Sequence, residues 1–201
     1  FGMTENFIIL AEFPLVVNPL RLLIRNKPFI ENYEWKPERG TRMIALNKRD
    51  GTIKTWMAQA FFAFHHINAF EQNGDLILDI AAYNDAGLID AFYLEHLRAG
   101  RPIPPGQFRR YRLPANGSNA EYEVLVSDSI ELPRLNYGRS NAKEYSFAYG
   151  VSNCPDRPGG FYNQLVKVDV RGRTARVWQA DDCFVGEPVF APAPGAAAED
   201  D

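Results

Sequence analysis

The sequence predicts an all-β protein made of many short antiparallel strands. Runs rich in β-branched and aromatic residues recur along the 201 residues, and most of the 14 prolines and 15 glycines fall between them. Two connecting segments, Asp50-Gly51 and Arg171-Gly172-Arg173, are typical of tight turns between paired strands. These features favour a chain folded from successive hairpins, with little helix.

The predicted strands follow one another along the chain. The opening stretch FGMTENFIILAEF contains the first, and the closing stretch PVFAPAPGAAAEDD is expected to form a strand followed by an acidic tail. The two turns named above each join a pair of neighbouring strands. The main predicted strands are 7–13, 42–47, 52–57, 76–83, 122–127, 145–151, 164–170 and 174–179.

One helix is predicted at 88–98, where apolar residues recur at helical spacing. His96 lies in its last turn and Gly100 follows, a typical C-terminal end. A histidine suits the negative end of a helix dipole, so His96 needs no ligand to explain it.

Composition excludes several classes of protein. Hydrophobic residues make up 46% and charged residues 23%, which is typical of a folded globular chain. The net charge of −3, with no basic cluster, gives no reason to expect a nucleic-acid partner. Cys154 and Cys183 are too few for a disulfide framework and lack metal-binding spacing, so a reducing, cytoplasmic compartment is expected.

Both ends of the chain are expected to continue into further protein. The sequence starts at Phe1 and enters a strand directly, and it closes on a tail that completes no element. Residues 1–201 are therefore interpreted as one domain piece, truncated at both ends.

The stretch FFAFHHINAF places His65 and His66 side by side after a run of aromatic residues. We expect the pair at a strand end or tight bend in apolar surroundings, because Glu71 to Gly74 has the composition of a turn. A buried imidazole there needs a partner, which can be a backbone carbonyl, a carboxylate or a metal. No HxH, HxxxH or HExxH spacing is present, so a hydrogen-bonded core histidine and a metal ligand both stay open.

Two isolated acids are candidate partners for such a histidine. Glu131 in SIELPRLNY and Glu187 in VGEPVF are each flanked by apolar residues, where a charge is costly without a partner. A carboxylate there can accept the far ring N–H of a metal-bound histidine and orient its ring. The alternative is that both acids point outward from an edge.

Several motifs together resemble the carotenoid cleavage oxygenase family, which includes the carotene oxygenases and the retinal pigment epithelium isomerase. They are FGMTENFIIL, FAFHHINAFE followed by NGDLILDI, IELPRLNY, SFAYG and GEPVF, and they span essentially the whole chain. The resemblance implies a partial seven-bladed β-propeller, several consecutive blades with a short helix from the cap. It also implies an Fe(2+) on the propeller axis, held by four histidines, three of them supported by glutamates.

The resemblance assigns roles to three residues of this chain. His65 matches an iron-binding histidine, with His66 as a neighbour that does not bind the metal. Glu131 matches the glutamate that supports His65, and Glu187 the glutamate that supports an iron ligand located beyond Asp201. The chain then holds one of four ligands, so the chain alone is expected to be inactive.

The implied activity is an Fe(2+)-dependent dioxygenase that uses O2 to cleave a conjugated C=C bond of a carotenoid or apocarotenoid into two carbonyl products. A retinoid isomerohydrolase, a stilbene-cleaving dioxygenase and a non-catalytic propeller used for binding are alternatives on the same scaffold. A polyene has no charged group to grip, so it needs an apolar tunnel. Phe61 and Phe64 are candidate tunnel residues, with plain core packing as the equal alternative.

A peripheral membrane contact is also predicted, because such substrates dissolve poorly in water. The stretch NPLRLLIRNKPFI, 18–30, offers the apolar side chains of Leu22, Leu23 and Phe29. Its cations, Arg21, Arg25 and Lys27, can meet anionic headgroups. The alternative is that this segment packs under the helical cap. No apolar run approaches the roughly 20 residues needed to span a bilayer.

Overall fold

Antiparallel strands dominate the structure, a computed structural model that describes residues 1–24, 26–154 and 161–201. The strands are β1 (Gly2–Met3), β2 (Phe7–Glu12), β3 (Leu15–Val17), β4 (Tyr33–Trp35), β5 (Thr41–Asn47), β6 (Ile53–Ala58), β7 (Phe62–Gln72), β8 (Asp75–Tyr83), β9 (Gln107–Leu113), β10 (Glu121–Ser129), β11 (Glu131–Arg134), β12 (Phe147–Ser152), β13 (Gln164–Asp169) and β14 (Thr174–Gln179). The helices are α1 (Pro19–Ile24), α2 (Gly87–Ala91), α3 (Leu94–Arg98) and α4 (Tyr137–Ser140), with 3₁₀ turns at Phe29–Asn32 and Pro37–Arg39.

These strands form three four-stranded sheets and one separate pair. The sheet orders are β1-β2-β5-β6, β7-β8-β9-β10 and β11-β12-β13-β14, and β3 pairs with β4. The strand β7 contacts both β1 and β11, so the first strands of the three sheets lie side by side. The described chain therefore forms three consecutive blades, and the predicted all-β propeller architecture is confirmed.

The middle blade is buried on both faces. Every residue of β8, DLILDIAAY, is buried. Leu78 and Ile80 pack against the first blade, where they join a cluster that includes Ile9 and Met43 of that blade. Residues of opposite parity, such as Ile77, pack against the third blade. The side chains still alternate with period two, but a strand covered on both sides reads as one apolar run.

Polar contacts tie the blades together as well. Asp79 in β8 is fully buried and accepts two hydrogen bonds from Arg110, at 2.9 and 2.7 Å. It also accepts one at 2.6 Å from the hydroxyl of Tyr145, next to the third blade. Burial raises the pKa of Asp79 despite these partners. A buried carboxylate is stable here because its lone pairs are filled by donors.

The histidine pair was expected at a strand end or tight bend, and this prediction was wrong. Both histidines lie inside β7. Pairing between β7 and β8 shifts register between Phe62 and His65, and again between His66 and Asn68. These bulges interrupt the regular alternation of side chains, which is the signal that a sequence prediction of strands uses. The turn after the strand is present, with Asn73 and Gly74 at positive φ.

Other predictions needed correction too. The helix predicted at 88–98 is two short helices, α2 and α3, because Tyr93 has extended backbone angles (φ −60°, ψ 135°). The strand β9, QFRRYRL, was not predicted, because its three arginines interrupt the apolar pattern of a buried strand. The structure nevertheless buries Arg109. The closing PVF is not a strand. The acidic tail is docked on the third blade, where Glu199 accepts hydrogen bonds from the backbone N–H groups of Ser146 and Phe147.

Candidate metal centre

His65 and Glu131 lie on the neighbouring inner strands β7 and β11 and contact each other. The Nδ1 atom of His65 is hydrogen-bonded to Oε1 of Glu131. The glutamate is only 3% exposed, although it lies 66 positions from the histidine in sequence. The expected contact between the two residues is therefore present. Their roles toward a metal stay predictions.

Three donors surround the Glu131 carboxylate. Besides His65, the hydroxyl of Tyr83 donates to Oε2 at 2.5 Å, and the backbone N–H of Leu132 donates to Oε1 at 3.2 Å. Burial raises the pKa of Tyr83 far above its usual value, and the negative charge of Glu131 adds to this effect. Burial and the same charge also raise the pKa of Tyr162 nearby. Both tyrosines are thus protonated at neutral pH, and Tyr83 is available as a donor.

The backbone next to Glu131 has an unusual conformation. Leu132 has a φ of 46°, in the left-handed region that residues other than glycine rarely adopt. Pairing of β11 with β12 shifts register between Glu131 and Arg134. Strain of this kind is found where the surrounding structure needs a residue in one particular place. Here it accompanies the turn of the chain that brings the Glu131 carboxylate to His65.

The donor set at His65 fits a metal ligand. Since Nδ1 is engaged by a carboxylate, Nε2 is the ring nitrogen with a free lone pair for a metal. The His65 side chain is 41% exposed, so this nitrogen is not sealed inside the core. Within residues 1–24, 26–154 and 161–201, no three His, Cys, Asp or Glu side chains group closely enough to hold a metal ion. His65 is therefore a single candidate ligand among the described residues, and its role toward a metal stays a prediction.

His66 has a different environment from its neighbour. Burial lowers its pKa to about 3, so the ring is neutral at physiological pH. A Cβ on Gly2 would lie 3.4 Å from its Nδ1 and 2.6 Å from Leu78, which shows how closely β1 packs against this ring. This packing is consistent with the expected role of His66 as a structural neighbour.

The two candidate tunnel residues lie in different surroundings. Phe61 is fully buried, stacks on Tyr111 at 4.7 Å between ring centroids and meets Phe13 edge-on at 5.2 Å. Its position favours the core alternative. Phe64 is exposed and contacts Phe62 at 4.9 Å, so it stays a candidate for the substrate path.

The structure does not bring Glu187 to the His65 site. Its carboxylate lies 2.5 Å from the guanidinium of Arg134, and its side chain is half exposed. The role expected for it, supporting a ligand beyond Asp201, stays a prediction.

His96 in α3 has its Nδ1 atom 2.8 Å from the carbonyl oxygen of Asp90.

The predicted membrane segment forms α1 and the following 3₁₀ turn. Leu23 and Phe29 are exposed, and Leu22 is half-buried. Arg25 lies outside the described residues, and Lys27 lies 3.8 Å from Glu31. None of the helices in the described ranges is long and apolar enough to span a bilayer.

Sequence reasoning missed Tyr83. It is the last residue of an apolar strand, and in sequence nothing distinguishes it from a core tyrosine. Its hydrogen bond to Glu131 joins residues that are 48 positions apart in sequence and belong to neighbouring blades. Only the isolated charge of Glu131 in an apolar context signalled that a buried partner was needed.

The chain matches known proteins over its whole length. The family model described as retinal pigment epithelial membrane protein matches residues 1–201. A carotenoid isomerooxygenase of Galleria mellonella is 33% identical, a carotenoid-cleaving dioxygenase of Macaca fascicularis 32%, and an apocarotenoid-15,15'-oxygenase of Synechocystis 29%. All three alignments cover 100% of this chain but only 41%, 44% and 41% of the relatives, so the chain spans less than half of their length.

Solved structures agree with these matches. The crystal structure of cobalt-substituted Synechocystis ACO superposes with a TM-score of 0.88 at 29% identity. A chimera of ACO and RPE65 gives a TM-score of 0.88 at 27% identity. Each covers 100% of this chain and 42% of the solved chain. The chain therefore belongs to the retinal pigment epithelial membrane protein family, the family of the carotenoid oxygenases.

Proposed function

We propose that the full-length protein is an Fe(2+)-dependent dioxygenase that cleaves a conjugated C=C bond of a carotenoid or apocarotenoid. One O2 is consumed for each double bond broken, and each of the two carbon atoms receives one oxygen atom as a carbonyl. The proposal extends to this protein the activities named for its relatives, which are carotenoid and apocarotenoid oxygenases.

The observation that carries the proposal is the hydrogen bond between His65 Nδ1 and buried Glu131. Carboxylate–histidine pairs of this kind are typical of metal ligands, because the carboxylate fixes the tautomer and the ring orientation. A core histidine does not require a fully buried negative charge as its partner. His65 would thus hold the iron through Nε2, together with histidines outside this chain.

Bound Fe(2+) would supply the position at which O2 is activated. The residues of this chain have simpler tasks. Glu131 keeps the proton of His65 on Nδ1, and Tyr83 and the Leu132 N–H hold the carboxylate in place. Phe64, whose ring centroid lies 6.4 Å from that of His65, offers apolar surface to a polyene that has no charge of its own, and Phe92 extends this surface at 6.3 Å from Phe64.

The decisive experiment uses the full-length protein loaded with Fe(2+). It is incubated with a carotenoid or an apocarotenoid in detergent micelles under isotopically labelled O2. Two carbonyl products, each carrying label from O2, are the expected result, and His65→Ala should yield neither. Products without a broken double bond would overturn the proposal.

A second activity has one observation in its favour. The relative from Galleria mellonella is named a carotenoid isomerooxygenase, a name that joins isomerisation to oxygenation. A retinoid isomerohydrolase would instead give an isomerised alcohol whose new oxygen comes from water. Labelled O2 therefore separates these outcomes. Cleavage of a stilbene, or binding without turnover, would identify the remaining alternatives.

We also propose that the protein meets a membrane or lipid surface from the cytoplasm, as a peripheral protein. The exposed apolar residues of α1 and the following turn support this contact. A cavity of about 530 Å³ lies between this region and α2, and its lining includes Leu15, Trp35 and Tyr93. The lining also includes Glu31, Asp85 and Asp90, so only the apolar part of the cavity wall suits a lipid-soluble substrate.

A further inference from the structure

The two oxygen atoms of Glu131 have separate partners. Oε1 faces His65 and the Leu132 N–H, while Oε2 accepts the hydroxyl proton of Tyr83 at 2.5 Å. Tyr83 is itself only 3% exposed. It comes from β8 in the middle blade, whereas Glu131 comes from β11 in the third. Tyr83 and Glu131 therefore connect two blades directly at the candidate metal centre.

The separate partners of the two oxygen atoms matter because the end of a glutamate side chain is flexible. The terminal torsion of Glu is broad, so a carboxylate with one engaged oxygen can rotate about its own axis. Because Tyr83 holds Oε2, rotation of the carboxylate would also break the Tyr83 hydrogen bond, and Oε1 therefore stays directed at His65. The orientation of the imidazole, and hence the direction of Nε2, then depends on the Tyr83 hydroxyl.

The surrounding backbone leaves room for that hydroxyl. A Cβ on Gly106 would lie 2.9 Å from the hydroxyl oxygen of Tyr83 and 2.5 Å from the carbonyl oxygen of Ile130. The Gly106 carbonyl in turn accepts a hydrogen bond from the Ile130 N–H at 2.9 Å. A side chain at position 106 would collide with Tyr83 next to its contact with Glu131. The glycine and the tyrosine are thus fitted to each other.

We propose that Tyr83 is a positioning residue for the metal centre: its hydroxyl fixes Glu131, and through Glu131 the ring of His65. This inference rests on the proposed function, because it assumes that His65 binds a metal. It assigns to Tyr83 no contact with substrate or metal. Its effect must therefore pass entirely through Glu131.

The chain contains a matched control for this hydrogen bond. Tyr145 donates to buried Asp79 at 2.6 Å, so it is also a buried tyrosine bound to a carboxylate of the middle blade. Asp79 is held by Arg110 and not by a histidine. Tyr83→Phe and Tyr145→Phe each remove one hydroxyl and keep the ring. We expect similar costs in folding, because each hydroxyl donates to a buried carboxylate, but only Tyr83→Phe should change the metal centre.

The experiment measures Co(2+) and Fe(2+) binding to the full-length protein by competition with a chelator, together with the visible absorption of bound Co(2+). For Tyr83→Phe we expect metal affinity to fall roughly 3–10-fold and the Co(2+) bands to shift, while Tyr145→Phe binds as wild type does. Glu131→Gln should weaken binding roughly 10–100-fold. In the Glu131→Gln background, Tyr83→Phe should have no further effect, because the two act in series.

Two results would overturn the inference while leaving the proposed function standing. One is a Tyr83→Phe protein with wild-type metal affinity and an unchanged Co(2+) spectrum. The other is a loss of affinity that persists in full when Glu131 is already Gln, since Tyr83 would then act by another route. A wild-type protein that binds neither metal is a different failure, because it removes the proposed metal centre and the inference with it.

Discussion

The imidazole of His65 and the carboxylate of Glu131 form one hydrogen-bonded unit across the inner strands β7 and β11. The carboxylate is buried while the imidazole reaches the surface of the described chain. A charge is thus kept in the interior to orient a ring that faces outward. Burying the carboxylate costs free energy, and the hydrogen bonds from Tyr83 and the Leu132 N–H, together with His65, offset that cost.

The first prediction concerns this unit in the full-length protein. Glu131→Gln keeps the shape of the side chain but removes its charge, so the amide is a weaker acceptor for the Nδ1 proton. Metal affinity or turnover should fall roughly 10–100-fold. His65→Ala removes the ligand itself and should abolish activity. Iron content after dialysis and initial cleavage rates measure both effects, and wild-type turnover by His65→Ala would refute the role assigned to it.

The second prediction concerns Gly106. An alanine there would place its Cβ 2.5 Å from the Ile130 carbonyl oxygen, so the backbone must shift. We expect Gly106→Ala to lower the free energy of unfolding by about 1–3 kcal/mol, as overpacking usually does. Metal affinity should fall as well, because the displaced atom on the other side is the Tyr83 hydroxyl.

Urea denaturation of the full-length protein checks the loss of stability. Gly186→Ala is the control, since a Cβ at that position has no neighbour within 4 Å among the described residues. A Gly106→Ala protein as stable as Gly186→Ala would show that this contact is looser than the structure indicates.

The third prediction concerns a polar contact between the first two blades. Glu71 accepts hydrogen bonds from the Thr4 hydroxyl at 2.6 Å and the Asn6 backbone N–H at 2.9 Å. Burial raises the pKa of Glu71, but these hydrogen bonds and the charge of Lys48 outweigh it and leave the pKa below its usual value of 4.5. The ionised form is therefore preferred more strongly in the folded state than in the unfolded state.

The sign of the pH dependence follows from that lowered pKa. The stabilisation by Glu71 is present above about pH 4.5 and is lost as the pH falls through the pKa of the folded state. Glu71→Gln should cost about 0.5–1 kcal/mol at pH 7, a small effect because exposed charges are screened. The difference from wild type should shrink as the pH falls below the pKa of Glu71 in the folded state. Urea titrations at several pH values test this, with exposed Glu5→Gln as control.

The fourth prediction concerns the membrane contact. Leu23 and Ile24 at the end of α1 are 85% and 83% exposed, and Phe29 is exposed in the next turn. Exposed apolar groups of this kind favour the interface of a bilayer. The triple variant Leu23→Ser, Ile24→Ser, Phe29→Ser should sediment with anionic liposomes much less than the wild-type full-length protein does.

A triple control replaces apolar side chains that are exposed elsewhere: Ile53→Ser, Val177→Ser, Val189→Ser. It lowers surface hydrophobicity by a comparable amount and should sediment with liposomes as wild type does. If the α1 variant stays folded and still binds liposomes fully, the segment is not the contact surface.

Local patterns determined most of the strands. In β13 and β14 the alternating side chains and the Arg171-Gly172-Arg173 turn are all within twenty residues of one another, and both strands have nearly the predicted bounds. The tandem pattern of strand and turn that fixes them depends on neighbours in sequence. The need of Glu131 for a partner was also predictable from the sequence, because a charge among apolar residues is costly without one.

Tertiary packing decided what local patterns could not. The bulges that place His65 mid-strand in β7, the buried arginine in β9 and the break between α2 and α3 each violate a local rule. Partners distant in sequence stabilise two of them: Glu131 contacts His65, and Asn84 accepts a hydrogen bond from Arg109. The Tyr83 hydroxyl meets Glu131 only because β8 and β11 belong to adjacent blades. A hydrogen bond across 48 positions leaves no periodicity in the sequence. Its atoms come within reach only when the hydrophobic faces of the two blades have packed together.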